Sequence, residues 1–410
     1  METLHALQKV TAGIDVHRML HVVTVLIEGE DGAVRKEQRQ FGGFKRDKRA
    51  MATWLGSLGV QLVVMESTGI YWKSPYAFLE QAGITTWVVN AHHVKHVPGR
   101  KTDMADSEWL AVLGRFGLVR GSFIPPQDLR ELRLVSRYRR KLAATLAAEK
   151  NRLHKTLDDA GITLGAIVAD IDGVSARRMI EGLIAGQDPA ELAGLGLGKL
   201  REKQDDLALA LDGDLSPRHR FVLQQLDAHL PFLEQQLTEI DQILFHAMQP
   251  YDWAWRLLQT LPGIDQLAAA LILIEIGDDL SHFGSADRFA SWAAVCPGNH
   301  ESAGKRKTGK TRKGNAVIRS ILCECANAAR RTKSVFADKY RSLVVRRGHK
   351  KTIVALAHKL IRTIFFMLTR RQPYRDSGFD YEAANVAKNA PRWIKALKKY
   401  GHWPQVAATT

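Results

Sequence analysis

Asp15 ends the apolar run Val10-Thr-Ala-Gly-Ile-Asp, and Glu66 ends another, Leu62-Val-Val-Met-Glu. Runs of this length bounded by turn residues read as buried strands. Asp103 and Asp106 stand three apart in Lys101-Thr-Asp-Met-Ala-Asp-Ser-Glu-Trp-Leu-Ala111, at the start of a helix. Residues at i and i+3 share a helix face. Acids in a first helical turn ordinarily only complement the helix dipole. With two strand-end carboxylates beside them, however, these acids can converge on one point, where they repel unless a cation lies among them. Hard divalent ions with all-oxygen ligands meet that need.

The elements that must position these acids follow in chain order. Lys9–Asp15, Met19–Ile27 and Val34–Phe41 read as three strands in a meander. Phe44–Leu55 has helical spacing, Val60–Met65 is a buried-strand run, a helix follows through Leu79, and Thr85–Val89 is a further strand. A meander followed by alternating helix and strand describes a ribonuclease-H-like layer over residues 9–120, an α/β arrangement with helices on the faces of a mixed sheet.

Pro125-Pro126 opens a long helix, and Ser216-Pro217 caps another. Leucines near a 3.5-residue repeat in both predict an antiparallel coiled-coil arm over 125–250, with 162–212 as a Gly/Ala-rich insertion of short helices and no legible chemistry. Pro231 is expected to kink the second helix. The other faces of the first helix carry Arg130, Arg133, Arg137 and Arg140, which suit either nucleic-acid contact or plain solvation.

Further on, Leu258-Gln-Thr-Leu-Pro-Gly-Ile264 reads as a tight helix–turn–helix element whose amides could bind a backbone phosphate. After it comes Asn299-His-Glu-Ser-Ala-Gly-Lys-Arg-Lys-Thr-Gly-Lys-Thr-Arg-Lys-Gly-Asn315, read as a flexible loop. Its Lys305, Arg306, Lys307, Lys310, Arg312 and Lys313 suit phosphate binding, and Ser302 stands at its head. A basic tail closes the chain over 371–410.

Composition agrees with a polyanionic partner. The chain has 410 residues, 45% of them hydrophobic, with 59 Lys and Arg against 43 acids and a formal charge of +16. That balance points first to nucleic acid and second to a membrane surface. Three cysteines without a C-x-x-C pair indicate neither a zinc site nor a disulfide framework and suit a reducing cytoplasm. No signal peptide is read in the first residues. The best membrane candidate, Ile353–Thr369, carries His358, Lys359 and Arg362 at its centre and is expected to be a buried amphipathic helix.

Together, these stretches resemble the transposases of the insertion-sequence 110/1111 family. Gly13-Ile-Asp-Val-His17 resembles the family's first-strand motif, and Glu66-Ser-Thr-Gly-Ile-Tyr-Trp72 resembles its E-x-T-G-x-Y-W segment. Lys101-Thr-Asp-Met-Ala-Asp106 matches K-x-D-x-x-D. Leu261-Pro-Gly-Ile264 and Glu301-Ser-Ala-Gly-Lys305 through Arg312-Lys-Gly-Asn315 resemble the hallmarks of the C-terminal transposase domain. The resemblance covers most of residues 9–370; the 162–212 segment and the tail after Gln372 depart from it.

The resemblance implies a DEDD recombinase with a RuvC-like N-terminal domain, a helical arm, and a C-terminal transposase domain over 251–370 whose catalytic serine is Ser302. It implies one or two Mg²⁺ held by Asp15, Glu66, Asp103 and Asp106, with Lys101 and the basic positions named above contacting nucleic acid. Implied partners are the double-stranded DNA of element ends and target, a structured bridge RNA encoded by the element, and further copies of the chain in a dimer or tetramer. The active site would then be assembled from two protomers, in a bacterial cytoplasm in association with the nucleoid.

Three rivals remain at this point: a RuvC-type structure-specific endonuclease without a serine-linked intermediate, an actin-like or sugar-kinase-like ATPase, and a non-catalytic nucleic-acid-binding protein. The ATPase fold needs a glycine-rich phosphate hairpin after its first Asp, whereas Val16-His17-Arg18 follows here.

Overall fold

The computed structural model describes residues 5–67, 69–91, 94, 97, 106–298, 300–302, 304–309, 311 and 314–402; of residues 300–302, 305–308 and 382 the backbone alone is described. The chain divides into two compact units, Met1–Gln127 and Asp128–Thr410.

The first unit is built on a five-stranded sheet of order β3-β2-β1-β4-β5. Its strands are β1 (Val10–Val16), β2 (Leu20–Glu28), β3 (Val34–Gly42), β4 (Leu62–Glu66) and β5 (Thr86–Val89). The first three pair antiparallel as the expected meander, whereas β4 runs parallel to both β1 and β5. Side chains alternate across a strand, so β1 and β4 serve two cores at once. Ala12, Ile14, Val63 and Met65 pack with Met51, Trp54 and Leu55 of α1 (Lys45–Ser57) and with Leu79 of α2 (Lys73–Gln81). On the opposite face, Leu62 and Val64 pack with Trp109, Leu110 and Leu113 of α3 (Asp106–Arg115). A mixed sheet in this order with helices on both faces is the ribonuclease-H-like layer expected from the sequence.

Helix α3 lies against bare backbone because β1 has a glycine there. A methyl group on Gly13 would sit 2.0 Å from the Ser107 carbonyl oxygen and 2.5 Å from the Ala111 nitrogen. Both obstacles are main chain, so no rotamer can relieve them. Gly13→Ala is therefore expected to cost about 3 kcal/mol or more, read from urea denaturation followed by far-ultraviolet circular dichroism. An unchanged midpoint would mean that α3 does not seat on β1 as described.

The second unit is helical. Its two long helices are α4 (Gln127–Asp159) and α9 (Pro217–His246), the latter continuous through Pro231; between them come α5 (Leu164–Ile167), α6 (Val174–Ala185), α7 (Pro189–Ala193) and α8 (Gln204–Leu211). Arg139 pairs with Asp241, Lys150 with Glu234, and Asp159 with His219. The partners advance in opposite directions, so the helices are antiparallel as expected. The coiled-coil expectation needs revision at one end of the arm. There Leu153 and Leu157 of α4 and Leu223, Leu226 and Leu230 of α9 bury themselves against short helices from residues 162–212, with Met179, Ile180, Leu192 and Leu207 in the same core. A heptad-like stripe reports only that one face is buried and does not say what buries it.

Beyond the arm come α10 (Asp252–Gln259), α11 (Gln266–Ile276), α12 (Ala286–Trp292) and a two-stranded hairpin, β6 (His300–Ser302) with β7 (Lys305–Thr308). These are followed by α13 (Ala316–Ala329), α14 (Val335–Arg347), α15 (His349–Arg370) and α16 (Tyr381–Lys399). Helix α15 is long and apolar enough to cross a membrane, yet half of its apolar window is buried inside the protein. Ile353, Leu356, Ala357, Leu360, Ile361 and Ile364 form its buried stripe, and its charged residues lie between those positions.

Candidate active site

In the first unit, three of the four sequence-derived acids fall at one end of the sheet. Ile14 pairs with Met65 in the parallel β1–β4 register, so Asp15 and Glu66, one residue further along, stand side by side at the carboxyl ends of adjacent strands. Alternation puts both on the α3 face, with Gly13 and Val64. Helix α3 runs antiparallel to β1. Ser107 Oγ is 2.8 Å from Thr24 Oγ1 near its start, while Arg115 Nη2 donates to Glu28 Oε2 at 2.6 Å at its end. Lys36 Nζ to Glu108 Oε2, at 3.0 Å, fixes its rotation about its own axis. Asp106, the first residue of α3, therefore lies at the same end of the sheet as Asp15 and Glu66. Ligand sites in open α/β sheets form in the crevice outside the carboxyl ends of the strands.

Asp15 has a partner just beyond the end of its strand: His17 Nε2 lies 3.0 Å from Asp15 Oδ2. His17 was legible only as part of a motif and not as a partner of the acid. Glu66 is half-buried and Asp106 is exposed, and both engage in interactions of their own. Asp103 and Lys101 lie outside the described residues. Among the described residues no group of three or more His, Cys, Asp or Glu is closed around a point where an ion would sit. The donors at this end of the sheet are all carboxylate oxygens, the set that a hard divalent cation takes.

In the second unit, Ser302 is the last residue of β6, paired with Lys305 across a turn whose Gly304 has φ of 73°. The stretch expected to be a flexible loop is thus a β-hairpin. Lys305, Arg306 and Lys307 lie on its second strand, while Lys310, Arg312 and Lys313 are outside the described residues.

The hairpin's return is anchored by residues whose importance the sequence did not reveal. Gly314 packs against the chain at 292–294, where a methyl group would fall 2.6 Å from the Trp292 carbonyl oxygen. Asn315 caps α13 by accepting the N–H groups of Val317 and Ile318, and its Nδ2 donates to Glu275 Oε2 at 2.7 Å. Glu275 is 1% exposed and also meets Arg133 Nε at 3.3 Å and Arg137 Nη2 at 3.5 Å. Burial pulls the Arg133 guanidinium below its usual basicity, with Glu275 opposing that effect. One signal for this site was available. Glu275 is the lone charge in an apolar helix, and a buried charge requires a partner.

Two nucleic-acid expectations change here. Arg133 is largely buried and holds Glu275 and the carbonyl of Ile274, so its guanidinium serves the fold. Arg137 is half-exposed and shares the same carboxylate. Arg140 is exposed and reaches Ser320 Oγ at 3.3 Å; Arg130 also engages in interactions of its own. The Pro-Gly turn also has a packing explanation. A methyl group on Gly263 would meet the backbone of Cys325 and Ala329 at 2.5 Å, and Asp265 already caps α11 by accepting the Ala268 N–H at 2.7 Å.

The chain thus joins a ribonuclease-H-like sheet, with acids at the carboxyl ends of β1 and β4, to a helical unit. Residues 12–162 match the model of the IS110 DEDD transposases, and residues 255–341 match that of the transposase IS116/IS110/IS902 family. The transposase for insertion sequence element IS1111A of Coxiella burnetii is 26% identical over 343 residues, spanning 81% of this chain and 84% of that protein. The "Probable family 20 transposase" of Pseudomonas aeruginosa is 24% identical over 322 residues, spanning 77% and 86%. A RuvC structure from Thermus thermophilus aligns over 28% of this chain and 99% of its own at 14% identity, with a TM-score of 0.22. The chain belongs to the IS116/IS110/IS902 family of insertion-sequence transposases, and membership makes it a DNA-cleaving and recombining enzyme.

Proposed function

We propose that this transposase excises and inserts its element by a serine-linked cleavage and religation of DNA, directed by a structured RNA from the same element. The observation that carries the reading furthest is the placement of Asp15, Glu66 and Asp106 at one end of the sheet. Asp15, Glu66, Asp103 and Asp106 would hold a divalent cation, Mg²⁺ above all, which polarises the scissile phosphate and stabilises charge on the leaving oxygen. Ser302 Oγ attacks phosphorus and gives up its proton; the P–O3′ bond breaks, and the 3′ oxygen leaves as a hydroxyl. The resulting phosphoserine keeps the bond energy until a new 3′-hydroxyl attacks and releases the serine, so neither water nor ATP is consumed. Lys305, Arg306 and Lys307, with Lys310, Arg312 and Lys313, stabilise the charge that builds on the phosphoryl oxygens. Lys101 and the exposed arginines of α4 contact nucleic-acid backbone, and more than one copy of the chain acts on each junction.

The RNA is tested on protein stripped by nuclease and repurified. Recombination of a plasmid carrying the element's ends is expected to be lost and to return when the element's non-coding RNA is added back. RNA affinity is expected to fall on the order of a thousandfold between about 50 and 200 mM salt. Undiminished recombination by RNA-free protein would refute the guide. Nicked product without rejoined strands would instead favour a water-using endonuclease.

A further inference from the structure

Helix α15 interrupts its apolar stripe with His358, Lys359, Arg362 and Phe366. The spacings of three and four bring the last three onto one helix face, and His358 stands four before Arg362. These residues line an open cavity of about 350 Å³ whose other walls include Lys339 of α14 and Tyr381 at the start of α16. Among the described residues no carboxylate lines it. Arg362 is paired with Asp287 of α12, and Asp376 lies within electrostatic reach of Lys359. Lys359 Nζ donates to Tyr381 Oη at 2.9 Å and sits 4.7 Å from the centre of that ring.

Lys339 has no acidic partner among the described residues and meets only the Tyr381 ring, at 5.7 Å. Burial above all, then Lys359 and Arg362, pushes its ammonium down to about 8. His358 is lowered by burial first, then by Arg362 and Lys339, with Asp287 opposing them. Crowding cations in a half-buried space is unfavourable unless an anion completes the set.

A neighbouring cavity shows the contrast. It is lined by Arg330, Arg331, Lys333 and Arg341, but Asp338 and Asp376 stand in its wall. There Arg341 pairs with Asp338, and Asp376 Oδ2 accepts the Val335 N–H at 3.0 Å. Two acids stand in the wall of that cavity, whereas in the Lys339 cavity Arg362 is answered from outside the lining by Asp287 and Lys339 by no acid among the described residues.

We propose that the cavity between α14, α15 and α16 binds a phosphate presented by a nucleic-acid strand, with Lys339, Lys359 and Arg362 as its ligands. Phe366, 41% exposed at the rim, offers an apolar surface to the adjoining sugar or base. The proposal rests on the enzyme reading only for the source of the phosphate. Neither Ser302 nor the acids of the sheet take part, so cleavage can fail while this site stands.

The test is competitive acetylation of the full-length protein near pH 8, mapped by mass spectrometry. Probes are a DNA duplex, a single-stranded DNA, an RNA hairpin, and inorganic phosphate at equal phosphate concentration. Lys339 is expected to react ahead of exposed lysines such as Lys199 and to be protected by one or more of the strands but not by inorganic phosphate. Equal protection by inorganic phosphate would overturn the strand as the source, and no protection by any probe would overturn the site. The double variant Lys339→Gln, Lys359→Gln should also bind the protecting strand with a salt slope lower by roughly 0.7 to 0.9 per lost cation, while Lys199→Gln leaves it unchanged. Should the double variant misfold, the footprint on the unaltered protein still decides.

Discussion

Ser302→Ala is expected to leave DNA bound and uncut. Wild-type protein denatured mid-reaction should carry a covalently attached DNA end that maps to Ser302 by peptide mass, and the variant should carry none. Single-turnover cleavage is expected to fall on the order of 10⁵-fold or more, because a positioned nucleophile acts at an effective concentration that no free hydroxyl or water matches. DNA affinity should stay within about threefold, the scale of an ordinary surface substitution. The serine ends β6 beside a turn, so losing one hydroxyl leaves the hairpin's backbone pairing in place. Cleavage and rejoining at near wild-type rate by the alanine variant would remove Ser302 from the mechanism and return the chemistry to the acids alone.

Asp106→Asn is expected to abolish strand cleavage by a different route. The amide keeps the size and shape of the side chain but loses its charge and exchanges one acceptor oxygen for an N–H donor. Charge stabilisation by a bound cation is worth several kcal/mol, so losing an anionic ligand should slow cleavage roughly a thousandfold or more. The fold should be nearly indifferent. Asp106 is exposed in the first turn of α3, where a carboxylate's interaction with the helix dipole contributes only about 0.3–1 kcal/mol. Magnesium titrations of single-turnover cleavage, run beside thermal unfolding and DNA binding, separate the two effects. Full recombination by the asparagine variant would take Asp106 out of the metal set.

The sheet was legible because its sequence signals are local. An apolar run ended by an acid identifies β1 and β4, and the meander followed by alternation orders the strands. Gly13 appeared in the sequence only as part of a motif. Its reason is three-dimensional, since the α3 backbone occupies the space of the absent side chain. The arm was half legible: leucine spacing gave two long helices and their direction, but 162–212 supplies much of what those leucines bury. The hairpin at Ser302 escaped because Lys-Arg-Lys-Thr shows no alternation of apolar and polar residues; backbone pairing and one glycine with positive φ make it. The arginines of α4 looked alike in sequence, and the buried acid at position 275 is what sets Arg133 apart.

That acid ties together parts of the second unit far apart in sequence. Through one carboxylate the long helix α4, the central helix α11 and the residue that ends the serine hairpin's return are joined. Helices are stiff along their axes, and a buried ion pair resists being stretched because parting it strands a charge without water. The Glu275 carboxylate is therefore a shared rivet: shifting α4 at Arg133 without shifting Asn315 would part a buried charged contact.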